Sequence, residues 1–457
     1  LFGAHLVSSP REVTGALGGA GFFAAENGSI CLYKKTDGDW MSNQSRGASH
    51  IAWAVLAALA FAAGNSEAAA APKGEVMHWW TSSSESAAVR KFADAYRAAG
   101  GVWGDTAIAG ADQAKAVAIN RIVGGNPPTA AQFNTTKQFR DLIDQGSLNN
   151  VDDIAIRDRW DQLMPQPILD VIKVKGHFYA VPVDIHMSTW IWYSKAAFKK
   201  AGIAKEPVTP DELFAALDKL KAAGLVGLAH GGQPWQENIL FQAMLANVGG
   251  KELYLQVLRD RSPKAINSEA FKKVLLAFKR LQGYVDAGSP NRNWNDATAM
   301  LISGKAGVQI MGDWAKGEFA AARQTAGKDF GCIPGLGPNV PYLIQGDAFV
   351  FPKTSNTDAV RAQKLLATTM LAPNAQLEFN KIKGSLPILS NVDTSTMDVC
   401  AQAGMAILKD KTRATGMIEV YLTPDQNGAL QDVLTTYWNT RMPVEKAQKG
   451  IVSALQD

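Results

Sequence analysis

The chain has 457 residues, of which 47% are hydrophobic and 19% charged, with a formal net charge of +4. That is the composition of an ordinary folded globular protein. So small a charge, spread over the whole length, leaves no footprint for nucleic acid.

The first feature along the chain is Met41-Ser-Asn-Gln-Ser-Arg-Gly47, followed by an apolar run from Ile51 to Ala63 and then Glu67-Ala-Ala-Ala-Ala-Pro72. A basic opening, a short apolar core and an Ala-x-Ala tail are the parts of a secretory signal. The core falls short of the roughly 20 apolar residues that cross a bilayer. Residues 41–70 are therefore expected to be a signal peptide, a membrane anchor or buried helix being the alternatives. Residues 1–40 would bury such a signal and are expected to be a non-native upstream segment, placed there by a misassigned start. Roughly 390 residues then remain, beyond what one core readily serves, so two domains are expected. That remainder has no Lys/Arg run and no second long apolar segment.

Glu75–Trp80 reads as a first strand, and the polar cluster Thr81–Glu85 suits the start of a helix from Ser86 to about Ala98. Strand, turn and helix then recur. Thr106–Ala109 precedes a helix over 113–122, and Thr129–Phe133 precedes one ending at Asp144. This rhythm predicts an α/β fold with a parallel sheet flanked by helices. A second unit opens near Trp190–Tyr193, and Thr209-Pro-Asp-Glu212 is a capping box launching a helix to Gly224. Helices over 237–246, 268–286 and 296–303 follow, then strands Val308–Met311 and Asp347–Phe351 and a helix over 359–370.

Catalytic signatures are scarce. His78, His177, His186 and His230 form no His-x-x-x-His pair, and there is no nucleophile elbow, phosphate loop or dinucleotide fingerprint. No His/Cys cluster suggests zinc or iron, so no metal and no cofactor are expected. Cys31 lies upstream. Cys332 and Cys400 in an oxidising compartment read as one disulfide, with two buried thiols as the alternative. No cysteine sits near the cleavage site, which disfavours a lipid anchor and predicts a soluble periplasmic location.

The tryptophans carry the strongest signal. Trp79 and Trp80 end a strand, and Trp235, Trp294 and Trp314 stand at element boundaries among Gly, Asn, Gln and Asp. Strand ends at the carboxyl edge of a parallel sheet form the ligand crevice. An indole flanked by hydrogen-bonding side chains suits a pyranose, each ring contact adding on the order of 1 kcal/mol beyond area burial. Tryptophans in such places also serve as structural anchors. The polar partners follow the same geography: Ser84, Glu85, Gln132, Asn134, Asp184, His186, Asp313, Asp347 and Lys383. Glu85 also fits a helix cap, His186 a hydrogen-bonded structural residue, and Lys383 a solvated lysine unless a cleft closes on it.

From Glu75 onward the chain resembles the extracellular solute-binding proteins of ABC sugar importers, in particular the glucose- or mannose-type periplasmic binding proteins. The resemblance rests on His78-Trp-Trp-Thr-Ser82, Gly176-His-Phe-Tyr-Ala-Val-Pro-Val183, Trp192-Tyr-Ser-Lys195, Thr209-Pro-Asp-Glu-Leu213, Ser303-Gly-Lys-Ala-Gly307, Met311-Gly-Asp-Trp314 and Lys383-Gly-Ser-Leu-Pro387. It implies a two-lobed periplasmic-binding-protein fold (type II-like), each lobe a mostly parallel sheet flanked by helices, with a multi-strand hinge. The implied lobes are 74–187 plus 346–388 and 188–345 plus 389–457, with crossovers near 185–190, 343–347 and 385–390. Trp79, Trp80, Glu85, Gln132 and Asn134 would face sugar from the first lobe. Trp235, Trp294 and Asp313 would face it from the second, with Trp314 a further stacker and Asp347 and Lys383 near the hinge. Both cysteines would fall in the second lobe.

The implied function is capture of a glucose-like monosaccharide, or a short oligosaccharide, by a monomer that closes on it and delivers it to an inner-membrane ABC permease. A chemoreceptor is a further expected partner. Trp80→Ala and Trp235→Ala are expected to abolish sugar binding with the fold intact. The competing reading is an exported glycoside hydrolase using Glu85 and Asp313 as acid and base.

Overall fold

The computed structural model describes residues 70–338, 340–410 and 412–456. The expected upstream segment and all but the last residue of the expected signal peptide lie outside the described residues.

The strands are β1 (Lys73–His78), β2 (Val102–Ala107), β3 (Ala130–Asn134), β4 (Lys173–Val174), β5 (His177–Phe178), β6 (Ala180–Pro182), β7 (His186–Met187), β8 (Trp190–Ser194), β9 (Val226–Leu228), β10 (Ala306–Met311), β11 (Phe330–Ile333), β12 (Tyr342–Gln345), β13 (Asp347–Val350) and β14 (Ala414–Gly416). β4 and β5 form a separate hairpin, turned at Lys175 and Gly176, both with positive φ. Between strands the chain is helical where apolar residues recur at helical spacing. The helix Glu269–Leu281, for example, buries Phe271, Val274, Leu275, Phe278 and Leu281 as one stripe. Helix starts follow the side-chain caps expected of them. Ser82 and Glu85 form a reciprocal capping box on the helix Ser83–Ala98. At Thr209 the box is half made, because the Glu212 carboxylate takes the Val208 N–H instead.

Two main sheets result, one five-stranded in the order β2-β1-β3-β13-β6 and one four-stranded in the order β11-β8-β10-β9. In the first, β1 runs parallel to β2 and β3, and β13 runs against both β3 and β6, so β13 alone is reversed. In the second, β9 and β10 are parallel and β8 runs against β10 and β11. Each sheet is thus mostly parallel with a single reversed strand, and that strand follows a passage between sheets.

The chain passes from the first sheet to the second between β6 and β8, and returns between β11 and β13. It leaves the first sheet's side once more after the helix Pro373–Lys383, which packs on the helix Ser83–Ala98. These three passages lie side by side. β7 pairs antiparallel with β12, Met187 opposite Ile344 and His186 opposite Gln345. Ile185 exchanges both backbone hydrogen bonds with Leu386, at 2.7 and 3.0 Å.

Cys332 on β11 and Cys400 in the first turn of the helix Val399–Leu408 are disulfide-bonded across 68 residues of chain. Closing a loop of that length restricts the unfolded chain by about 4 kcal/mol in the chain-entropy account. The Cys332→Ser/Cys400→Ser double variant should therefore lose stability of that order in urea titrations, and reducing agent should do the same to the parent. Among the described residues no helix is long and apolar enough to cross a membrane.

Candidate functional site

The site begins where β1 stops. The strand ends at His78, two residues earlier than the sequence suggests, because the backbone N–H of Trp80 turns back to His78 Nδ1 at 3.2 Å. The other ring nitrogen of His78 lies 3.0 Å from Asp105 Oδ1 on β2. This turn sends the two indoles apart. Trp80 is 1% exposed, packed on Phe349 and Phe379, and its Nε1 donates to Asp347 Oδ2 at 3.3 Å. Trp79 stays half-buried with Lys115 beside its ring, while its backbone N–H donates to Gln132 Oε1.

The register of β13 against β3 sets Asp347 opposite Asn134, whose Nδ2 donates to Asp347 Oδ1 at 3.0 Å. On the crossing strand β7, His186 has carboxylates at both ring nitrogens. Nδ1 is 2.5 Å from Asp313 Oδ1, and Nε2 is 3.1 Å from both Asp347 Oδ2 and Asp184 Oδ2. The remaining carboxylate oxygens take backbone N–H groups: Met187 N–H reaches Asp313 Oδ2, and Asp347 N–H reaches Asp184 Oδ1. Asp313 follows β10, so the two main sheets meet at this imidazole.

All four groups are buried, and His186, Asp184 and Asp347 shift one another's ionisation. Burial opposes the charge on His186, but the combined fields of Asp184 and Asp313 outweigh it and hold the ring well above the ordinary imidazole value. Burial, reinforced by the like charge of Asp347, drives Asp184 up against the opposing field of His186. At Asp347 burial is outweighed by the hydrogen bond and charge of His186, so its carboxyl is held down. His186 is accordingly an imidazolium serving as a structural cross-link, one of the roles the sequence left open.

The second cation is Lys383. It is 2% exposed, so it is not solvated surface; its ammonium lies 3.3 Å from Glu85 Oε1. Burial works against its charge, and Glu85 followed by Asp347 and Asp184 reverse that and raise its pKa. The ammonium also sits 5.9 Å from the Trp80 ring and 5.7 Å from that of Trp314. Glu85 is both the capping residue and the partner of Lys383. Trp314 meets His186 edge-on at 5.1 Å and Trp235 at 6.5 Å. Trp235 in turn donates to Gln233, which donates to Asn293 beside Trp294.

The structure therefore gathers Trp80, Glu85, Asn134, Asp184, His186, Trp235, Asp313, Trp314, Asp347 and Lys383 into one cluster, with Gln132 at its edge. Among the described residues, neither the Trp79 nor the Trp294 indole is hydrogen-bonded or ring-packed against that cluster. Both are half-buried beside it.

Several contributors were not legible in the sequence. His78 looked like an isolated histidine, yet it turns the tandem tryptophans. Glu318, on the helix Ala315–Ala321, accepts from both the backbone N–H and the hydroxyl of Ser84, at 3.2 and 2.5 Å. Gly384 has φ +98°, and a methyl there would lie 2.4 Å from the Asp313 carbonyl oxygen; only glycine allows that approach. Lys-Gly at a helix end is a visible cap signal, but what it packs against is not.

Glu419, in the short helix Ile418–Tyr421, was also unforeseen. Burial raises its carboxyl to about 7, partly offset by a backbone hydrogen bond and then by Lys115, and its Oε2 has no partner among the described residues. A carboxyl raised on folding contributes stability below its ordinary value of 4.5 that is lost as pH rises to about 7. Glu419→Gln should therefore raise the melting temperature at pH 8 by about 1–3 °C and leave it unchanged near pH 4. Equal shifts at both pH values would contradict this.

Asp184, His186 and Asp347 also offer three ligand atoms within 4.8 Å of one another. The set does not fit a metal ion. A protonated His186 has no lone pair to give, and the ammonium of Lys383 already supplies positive charge to Asp184 and Asp347.

Comparison with known proteins identifies the family and the fold. Residues 80–376 match the family of bacterial extracellular solute-binding proteins. The chain is 38% identical over 389 residues to a probable sugar-binding periplasmic protein of Brucella suis, covering 84% of this chain and 91% of the relative. A protein of the same description from Rhizobium meliloti is 37% identical over 409 residues, covering 88% and 97%. Among solved structures, the solute receptor AcbH, with its exclusive preference for β-D-galactopyranose, superposes with a TM-score of 0.72 at 18% identity, covering 83% of this chain and 97% of that one. Maltose-bound MalE3 of T. maritima superposes with a TM-score of 0.71 at 17% identity, covering 84% and 99%. The fold is the two-lobed α/β fold of those receptors, and the chain belongs to the bacterial extracellular solute-binding protein family.

Proposed function

We propose that this protein is a periplasmic sugar receptor of an ABC importer, which captures a neutral, glucose-like monosaccharide between two lobes and hands it to an inner-membrane permease. The observation that carries the reading is the meeting of Trp80, Trp235 and Trp314 with hydrogen-bonding carboxylates and Lys383, contributed from both main sheets, where the three passages between them lie together. Indole faces suit the C–H face of a pyranose, and charged acceptors and donors suit its hydroxyls. The names of the Brucella and Rhizobium relatives support sugar as the solute and the periplasm as the place.

The lobes in this reading are 74–187 plus 346–388 and 188–345 plus 389–457, with β7, β12 and the Ile185–Leu386 contact as the hinge. Sugar bound to one lobe adds contacts to the other and shifts the population toward closure. Ser84–Glu318 then bonds across the rim. A monomer suffices for this action, and the closed form is also suited to signal to a chemoreceptor. The hydrolase reading has no comparable support, since Glu85 is paired with Lys383 and Asp313 with His186.

The charge balance narrows the ligand. Glu85, Asp184, Asp313 and Asp347 outnumber Lys383 and His186, so sugar phosphates and uronic acids meet like charge in a buried site. Thermal-shift and calorimetric titration with glucose, mannose, galactose and maltose, alongside glucose 6-phosphate and glucuronate, tests this. Saturable stoichiometric binding of a neutral sugar is expected. Binding of only the anionic members would contradict the charge argument, and no response to any sugar would overturn the function.

A further inference from the structure

β1 delivers two adjacent indoles to the candidate site and then has to part them. Beyond its last residue, the backbone N–H of Trp79 goes to Gln132 Oε1 at 3.1 Å and that of Trp80 to His78 Nδ1 at 3.2 Å. An acceptor atom bonded to Cγ that takes the N–H two residues on is the geometry of an Asx-turn, supplied here by a histidine. An amide hydrogen can go only to a bare ring nitrogen. Nδ1 of His78 therefore carries no proton, and the single proton of the neutral ring sits on Nε2.

β2 enforces that tautomer. His78 Nε2 donates to Asp105 Oδ1 at 3.0 Å, and the same oxygen accepts from the Trp103 indole at 3.0 Å. The bond from His78, and after it the bond from Trp103, holds the Asp105 carboxyl below its ordinary value, so it remains an acceptor at neutral pH. The His78 carbonyl oxygen is fixed as well, by the Ile108 N–H at 2.8 Å just past the end of β2, and the residue is buried. With its backbone and Nε2 both tied to this side of the sheet, the ring cannot swing its Nδ1 lone pair away from Trp80. A proton on Nδ1 would set one N–H against another. We infer that His78 is a positioning residue: its Nδ1 lone pair, oriented from β2 by Asp105, aims the two indoles and through them sets the affinity for solute. The affinity clause rests on the sugar-receptor reading of the site; the tautomer and the turn do not.

Two substitutions separate the roles of the ring nitrogens. Asparagine places its amide oxygen where Nδ1 stands, whereas glutamine reaches the position of Nε2. Calorimetry uses whichever of glucose, mannose, galactose and maltose the parent binds most tightly. His78→Asn should bind it within about threefold of the parent, and His78→Gln about tenfold more weakly, the effect of one lost buried hydrogen bond. A residue that only supports the fold would lower both melting temperatures and leave both affinities at the parent value. That result would overturn the inference, as would His78→Asn binding as weakly as His78→Gln. Nitrogen NMR of the histidine-labelled parent at neutral pH, with His78→Asn identifying the signal, should show the Nε2–H tautomer. The Nδ1–H form or an imidazolium would overturn the inference whatever the variants do. Should the parent bind none of the four sugars, the sugar reading fails by itself. The tautomer then decides together with the near-ultraviolet circular dichroism of the tryptophans, which should be parent-like in His78→Asn and altered in His78→Gln.

Discussion

Trp80→Ala should lose about 3–5 kcal/mol of folding stability together with its sugar, the cost of opening a cavity where a large aromatic side chain was fully packed. Trp80 is 1% exposed, lies against Phe349 and Phe379, and holds Asp347 through its indole N–H. This corrects the expectation from sequence that its removal would leave the fold intact. Trp235 is the cleaner probe. It is only half-buried, and its Nε1 bonds to Gln233 rather than to the carboxylate cluster. Trp235→Ala should keep its urea midpoint close to the parent's while sugar affinity falls by about 2 kcal/mol, roughly 30-fold. Parent-like affinity in calorimetry for Trp235→Ala would remove that indole from the site. A parent-like urea midpoint for Trp80→Ala would show that its burial contributes far less than its packing implies.

Lys383→Met should be comparably damaging for an electrostatic reason. Burying charges is tolerable only while they are paired, and removing one partner of a buried pair costs about 3–5 kcal/mol. Here the methionine leaves Glu85 without its cation and withdraws positive charge from Asp347, Asp184 and Asp313. The variant's carboxyls then take up protons on folding, so its stability should recover as pH falls from 8 to 5, while the parent does not gain in the same way. A Lys383→Met protein as stable as the parent at pH 8, or one with a parallel pH profile, would show that the ammonium is solvated and unpaired in solution. Lys383→Arg is not a neutral control, because the space between the Trp80 and Trp314 rings fits a compact ammonium.

The polar groups buried together in this cluster satisfy one another. Asp347 accepts from Asn134, Trp80 and His186, and Asp313 from His186 and the Met187 backbone. These bonds satisfy groups that would otherwise carry a desolvation cost. In the proposed function an arriving sugar exchanges its hydroxyls for some of them, and an epimer that fails to reproduce one leaves an ion unpaired. Discrimination between sugars then follows from the cost of the unmatched group.

Much of this was written into local sequence. Apolar spacing, Ser82 and Thr209 as caps, and prolines at helix starts determined where elements lie, because those signals act over a turn of helix or a few residues of strand. The order of strand, turn and helix determined an α/β fold, and tryptophans at element ends among Asp, Asn and Gln marked the candidate site residues, because residues there cannot be explained by a continuous apolar face. Only the tertiary structure decided which of those side chains meet. Trp80 turns inward and Trp79 does not, although they are neighbours, because His78 bends the chain between them and Phe349 and Phe379 wait on one side. The pairing of His186 with Asp313, of Lys383 with Glu85, and of Ser84 with Glu318 spans 127 to 298 residues of chain. No local rule reaches that far; those contacts exist because three separated segments pass side by side between the two sheets, and burial there forces each charge to find its opposite.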